Sequence, residues 1–142
     1  MGGLPKVNFG TIKGAQQTNA ILRALGAQHG FYDPSDWITA SFVDMLCETY
    51  SDFFNVAMKA ILFTPDEEKP AALEGVRDGI LKKLLTICEK NLENNSTQRY
   101  IAADHLTIAD FCLSALIFNF LKNDMSPAQS CFAPLLDEFP RF

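Results

Sequence analysis

Leu106-Thr107-Ile108-Ala109-Asp110-Phe111 encodes a helix start in three ways that reinforce one another. Thr107 carries a hydroxyl that can cap the free N–H groups of a first turn. Asp110, three residues on, can reach back to the backbone N–H of Thr107. The pair is a capping box, with Asp in the place more often held by Glu or Gln. Leu106 before the cap and Phe111 at the fourth helical position have the spacing of a hydrophobic staple. Phe111, Leu113, Leu116, Ile117, Phe118 and Phe120 follow, so the spacing predicts a helix over 107–121 that is apolar nearly all round. Such a helix belongs at the centre of a bundle.

Its neighbours can be read on both sides. Residues 36–63 contain neither Gly nor Pro, and Val43, Leu46, Tyr50, Phe53, Phe54, Ala57 and Ile61 recur in steps of three and four. That predicts a long amphipathic helix, roughly 40 Å at 1.5 Å per residue. A polar break at 64–70 separates it from a helix over 71–92, in which Gly75 and Gly79 would permit close helix approach. Residues 18–27 predict a shorter helix with Ile21, Leu22 and Leu25 on its apolar stripe and Gly26 and Gly30 at its end. Pro34 makes 31–35 a linker, after which Ser35 or Asp36 can cap the long helix. Ahead of all this, 6–9 and 11–15 suit a β-hairpin, which is marginal alone and needs a surface to lie on. In the tail, Pro127, Pro134 and Pro140 leave room for one short helical piece around 134–139. The fold class is mainly α.

Composition narrows the function. The 142 residues are 48% hydrophobic and include 12 Phe, enough for a packed core. A net charge of −5 with no Lys- or Arg-rich run disfavours a nucleic-acid partner. No apolar stretch approaches the ~18 residues of a membrane span, and Met1-Gly2-Gly3-Leu4-Pro5 lacks the features of a secretory leader or a myristoylation site. Cys47, Cys88, Cys112 and Cys131 form no Cys-x-x-Cys pair, and His29 and His105 do not join them at metal-ligand spacing. No metal site is expected, and free thiols in a cytoplasmic protein are.

Two further blocks carry a resemblance. Tyr100-Ile101-Ala102-Ala103-Asp104-His105 runs straight into the capping box, and Gln17-Thr18-Asn19-Ala20-Ile21-Leu22-Arg23 lies far upstream. Together with Leu106 to Phe111 they resemble the soluble glutathione transferases, especially the mu, pi and sigma classes. The resemblance implies a thioredoxin-like domain followed by an all-helical one. Residues 1–30 would be part of the first, a hairpin and helix remnant, and residues 36–142 the second. It is cut at both ends: the first strand, first helix and second strand have no counterpart, and the chain stops at Phe139-Pro140-Arg141-Phe142 where the family's final helices begin or continue.

The same resemblance implies a partial glutathione site. Leu4-Pro5 looks like the family's cis-proline, with the Leu4 backbone pairing the cysteinyl part of the ligand. Gln17-Thr18 matches a Gln-Ser pair whose hydroxyl and helix N-terminus receive the γ-glutamyl carboxylate. Gln16 competes with Gln17, because the hairpin appears one residue longer than in the pi class, and Thr18 also has the place of a plain N-cap. Asp52 matches the residue that reaches across a dimer to the ammonium of the partner's glutathione. On spacing alone, Asp44 and Asp52 are solvated helix charges. Asp104 would brace its loop, where Ala103 replaces the family's glycine. Tyr32, in the linker, does not match the thiolate-activating position. Tyr50 would pack inward or line the electrophile side.

No catalytic residue and no resident cofactor follow from this; glutathione would be a ligand or substrate. The implied partners are a second copy or a heteromeric protein. The function is then that of a relative of glutathione-conjugating enzymes lacking the thiolate-activating segment in this chain. The alternative is a non-catalytic, structural or interaction subunit of a larger assembly.

Overall fold

In the computed structural model, which describes residues 5–142, an antiparallel hairpin leads into a helical bundle. Strands β1 (Val7–Phe9) and β2 (Ile12–Ala15) place Val7 opposite Ala15 and Phe9 opposite Ile12, with a bulge between. Gly10 turns the chain at φ 53°, and Asn8 Oδ1 accepts the Gly14 N–H at 2.8 Å. The helices are α1 (Thr18–His29), α2 (Trp37–Leu62), α3 (Lys69–Val76), α4 (Lys82–Asn94), α5 (Ile108–Leu116) and α6 (Gln129–Phe132). No helix among the described residues is long and apolar enough to cross a membrane.

Each helix boundary has a local cause. Gly30, at φ 80°, ends α1, and its N–H and that of Phe31 both return to the Gly26 carbonyl. Such a left-handed cap is open to Gly without penalty. Asp36 Oδ1 accepts the Thr39 N–H at 3.2 Å and starts α2. The core forms where α2, α4, α5 and α6 meet. Phe53 of α2 sits edge-on to Phe120 at 5.2 Å and tilted against Phe132 at 6.0 Å. Leu46, Leu84, Leu85, Leu113 and Leu116 close around them, all buried.

The start of α5 is the most heavily bonded point. Its capping box is formed. Asp110 Oδ2 accepts the Thr107 N–H at 2.8 Å and the Thr107 hydroxyl at 2.9 Å, while Oδ1 accepts the Ile101 N–H at 3.0 Å. The Ile108 N–H, without an acceptor inside the helix, donates to the Phe31 carbonyl at 3.0 Å.

Several expectations need correction. The predicted helix over 71–92 is unbroken, α3 running into α4, but through a wide π-type turn at Arg77–Leu81; a second such turn, Ile117–Leu121, continues α5. Gly75 and Gly79 face open space, so neither serves close approach. The close approach is at Gly26, where an added Cβ would lie 2.6 Å from Ile108 Cγ2 and 2.9 Å from Tyr32 Cβ. The stretch after Thr107 is apolar nearly all round but not buried on every side, since Phe111 and Phe118 are exposed. Phe111 sets its ring edge-on to Phe31 at 5.3 Å, whereas Leu106 lines a groove beside Tyr100 and Ile117. Asp104 does not brace the loop: it is exposed and pairs with His105 Nδ1 at 2.8 Å. The bracing falls to Asp110 and to Asn95, whose amide donates to the Tyr100 and Ala103 carbonyls. The tail's helical piece begins earlier than 134, at Gln129, and runs on as a 3-10 turn over Ala133–Glu138.

Asp110→Ala strands three donors at once, and at about 1 kcal/mol each the loss should reach about 2–3 kcal/mol in a urea or thermal melt. A change below about 0.5 kcal/mol, the scale of an ordinary surface substitution, would show that these bonds do not hold the loop. Gly26→Ala and Gly75→Ala should move stability in opposite directions. The first forces α1 off α5 and costs about 1–3 kcal/mol; the second, at an open helical position, gains up to about 1 kcal/mol.

Candidate functional site

The described residues include a cleft of about 740 Å³ bounded by the start of α1, the middle of α2 and the first turns of α5. Gln17, Thr18, Arg23, Asp52, Tyr50 and Cys112 are among its walls. Gln17 and Thr18, placed together by the resemblance, thus meet Asp52 in one cleft of a single chain.

The α1 end of the cleft has unusual backbone. Gln17 holds φ 75° and ψ 114° with no side-chain cap hydrogen bond. A non-glycine residue in that region carries strain of order 1–3 kcal/mol, a cost concentrated at functional sites. The first intrahelical bond runs from the Ile21 N–H to the Gln17 carbonyl at 3.0 Å. The amides of Thr18, Asn19 and Ala20 therefore have no helical acceptor, and they carry the positive end of the helix dipole. Thr18 is not the N-cap: it is the first helical residue, and Gln17 occupies the cap position. Gln17 lines the cleft and Gln16 does not. Pro5 is exposed and also outside them. Leu4, and with it the Leu4–Pro5 bond, lies outside the described residues.

A polar lattice fixes α1 against α2. Asn19 Nδ2 donates to Ser51 Oγ at 3.1 Å, and Ser51 Oγ donates to the Cys47 carbonyl at 3.0 Å. Arg23 Nε donates to Asp44 Oδ1 at 2.6 Å and its Nη2 to Glu48 Oε1 at 2.8 Å. The Tyr32 hydroxyl donates to Asp44 Oδ2 at 3.1 Å. Asp44 is therefore not a solvated helix charge, as its spacing suggested. It is the half-buried hub that ties α1 and the linker to α2. Burial first, and the bond to Asp44 second, push the Tyr32 phenol above its usual range. Burial also raises Tyr50, whose ring packs near Phe53 and Phe54 while lining the cleft. All four cysteines are free, and Cys112 lines the cleft with its sulfur 3.6 Å from that of buried Cys47. No group of three or more His, Cys, Asp or Glu among the described residues is placed to hold a metal ion.

Residues 51–141, most of the bundle, match the sequence model of the family described as "Glutathione S-transferase, C-terminal domain". The chain belongs to the glutathione S-transferase family. It is 30% identical over 110 residues to Glutathione S-transferase A of Cavia porcellus, a match covering 78% of this chain and 49% of that relative. The chain thus spans about half the length of this glutathione S-transferase. The family match begins at Ser51, inside α2, so the α1 residues of the cleft lie outside it.

The cleft lining includes Gln17, Thr18 and Asp52, to which the resemblance pointed, and also Asn19, Ser51 and Cys112, which the sequence did not single out because Asn19 pairs with Ser51 and Cys112 with Cys47 across different helices. Asp44→Ala should lower stability by about 1–2 kcal/mol, since about a third of each ion-pair partner meets water. It should also bring the Tyr32 phenol down toward its ordinary value, because the lost carboxylate accepts only from the protonated hydroxyl. Ultraviolet titration of the variant against wild type checks the sign.

Proposed function

We propose that the cleft beside α1 holds the γ-glutamyl end of glutathione, and that this chain by itself does not accelerate glutathione transfer to electrophiles. The observation that supports this reading is the open N-terminus of α1, strained at Gln17, in the same cleft as Asp52. Free amides suit the α-carboxylate, and an aspartate suits the ammonium of the same amino-acid group. Under this reading, residues 1–30 are what this chain carries of a thioredoxin-like half, and 36–142 are the helical domain.

Catalysis needs more than a grip on one end of the ligand. A transferase of this kind lowers the pKa of the bound thiol and positions the sulfur. A free thiol near ~8.5 is mostly protonated at neutral pH. Ser51 among the cleft hydroxyls is committed to the Cys47 carbonyl, and Tyr50 is held in an apolar wall. Two charge-assisted contacts to one end of the ligand leave little after the cost of association, so binding is expected at a Kd of about 1 mM or weaker.

A partner completes the reading. Ile38, Met45 and Asp52 recur every seven residues along α2, with Val56 one turn on, and all four are exposed. Pairing of this stripe with a second copy, or with a heteromeric partner, would cover the face of α2 next to the cleft, while Asp52 serves the ligand of its own chain. That pairing gives the chain an interaction role whether or not it turns over substrate.

Calorimetry with glutathione and S-methylglutathione should give weak, saturable binding that Thr18→Ala and Asp52→Asn each weaken about 5-fold, near 1 kcal/mol. Absence of saturation at about ten times the expected Kd would remove the binding reading. Conjugation to 1-chloro-2,4-dinitrobenzene should not exceed the solution rate; a rate above it, abolished by Thr18→Ala, would restore the enzyme. Sedimentation should show a species larger than one chain, and a stable monomer at micromolar concentration would contradict pairing through α2.

A further inference from the structure

Two thiols far apart in sequence meet beneath the cleft. Cys47 on α2 and Cys112 on α5 are both buried, at 1% and 5% exposure, and their sulfurs lie 3.6 Å apart. Cys112 lines the cleft, whereas Cys47, Cys88 and Cys131 do not. The geometry points to Cys47 and Cys112 as a redox-active dithiol that closes to an intramolecular disulfide by exchange with small disulfides entering the cleft. This goes beyond glutathione binding and does not depend on it, since any low-molecular-weight disulfide that fits the cleft can serve.

The reaction balances in two exchanges. The Cys112 thiolate attacks one sulfur of the incoming disulfide; that S–S bond breaks, one thiol leaves, and Cys112 carries a mixed disulfide. Cys47 then gives its proton to the departing thiolate and attacks the Cys112 sulfur. The mixed disulfide breaks, the second thiol leaves, and Cys47–Cys112 forms. Two protein thiols are oxidised and one small disulfide is reduced to two thiols.

The order of attack follows from position and from the shared hydrogen bond. In the neutral pair Cys112 Sγ donates toward Cys47 Sγ. Once Cys112 ionises, the Cys47 S–H becomes the donor, which lowers the Cys112 thiol and raises Cys47, the latter further by burial. The thiolate therefore forms first on the sulfur that meets the cleft, and thiolate is the attacking species. Closing from 3.6 Å to a bond near 2.05 Å needs an approach of about 1.5 Å. Cys131, on α6, is half-buried without a neighbouring thiol and serves as the internal control.

The test uses the wild-type chain, freed of reductant and incubated near neutral pH with glutathione disulfide or, separately, with bis(2-hydroxyethyl) disulfide. The expected result with either reagent is loss of two of the four thiols, an intact mass lower by two hydrogens, and a Cys47–Cys112 cross-linked peptide. Dithiothreitol should reverse it. Cys47→Ser should stop at a mixed disulfide on Cys112, and Cys112→Ser should leave Cys47 unreacted. Survival of all four thiols, or modification confined to Cys131, would overturn the inference. Because the wild-type map decides the matter, a variant that fails to fold does not obscure it. Reaction with the hydroxyethyl reagent but no glutathione binding would sink the binding reading and leave this one standing.

Discussion

The Asp110 carboxylate is the point from which the rest of the molecule is hung. It gathers the Thr107 N–H, the Thr107 hydroxyl and the Ile101 N–H, closing a surface loop onto the first turn of a buried helix. That turn still has an unanswered amide, at Ile108, and the Phe31 carbonyl supplies it. Phe31 is the residue after the glycine that ends α1, so the bond also fixes where α1 stops. Gly26 then lies bare against Ile108. Either contact fails without the other. The Ile108 side chain fits because Gly26 has no Cβ, and Gly26 stays there because the linker after it is bonded to α5.

The cleft inherits its character from this arrangement. With the C-terminal end of α1 packed dry on α5, its N-terminal end stands open beside the middle of α2. Arg23 would otherwise be the natural anchor for an anion, but it is shared between Asp44 and Glu48. What remains positive is the helix end itself, three amides and the dipole behind them. Asp52 and Glu48 on the facing wall, and a chain charge of −5, repel anions that bring no positive group. A zwitterionic amino-acid group satisfies both walls, and a simple anion satisfies one. The proposed γ-glutamyl reading rests on that asymmetry.

What could be read from sequence follows the range of the interaction. The capping box spans four residues, and the Gly- and Pro-free run of α2 spans one helix, so both were legible, as was the hairpin around Gly10. The π-type turns were not, because five residues of altered pitch leave the apolar pattern nearly unchanged. Gly75 and Gly79 were read as contact points when the contact is at Gly26, whose partner Ile108 lies on another helix. Asp104 was assigned the brace through the family resemblance, and sequence does not say which acceptor reaches. In the candidate site, Gln17 and Thr18 were suggested only by a family likeness, and the unusual backbone of Gln17 left no mark in the sequence. Arg23 with Asp44, 21 residues apart, and Cys47 with Cys112, 65 residues apart, are pairs that only the fold makes.

The clamp at Asp110 also bears on the chemistry of the cleft. Cys112 is two residues beyond Asp110, one turn after Ile108, on the part of α5 whose start is bonded to loop and linker at once. A sulfur so placed has little backbone freedom, and what motion it makes is rotation of its own side chain. Cys47 sits mid-way along α2, one turn before Ser51, and α2 is joined to α1 through Asn19 and Arg23 rather than to the clamp. Ser51 donates to the Cys47 carbonyl and accepts from Asn19 in the first turn of α1. The same three residues therefore connect the thiol pair to the open N-terminal end of α1. Two hydrogen bonds span the distance from the floor of the cleft to its mouth, beside a helix whose own start is held by Asp110.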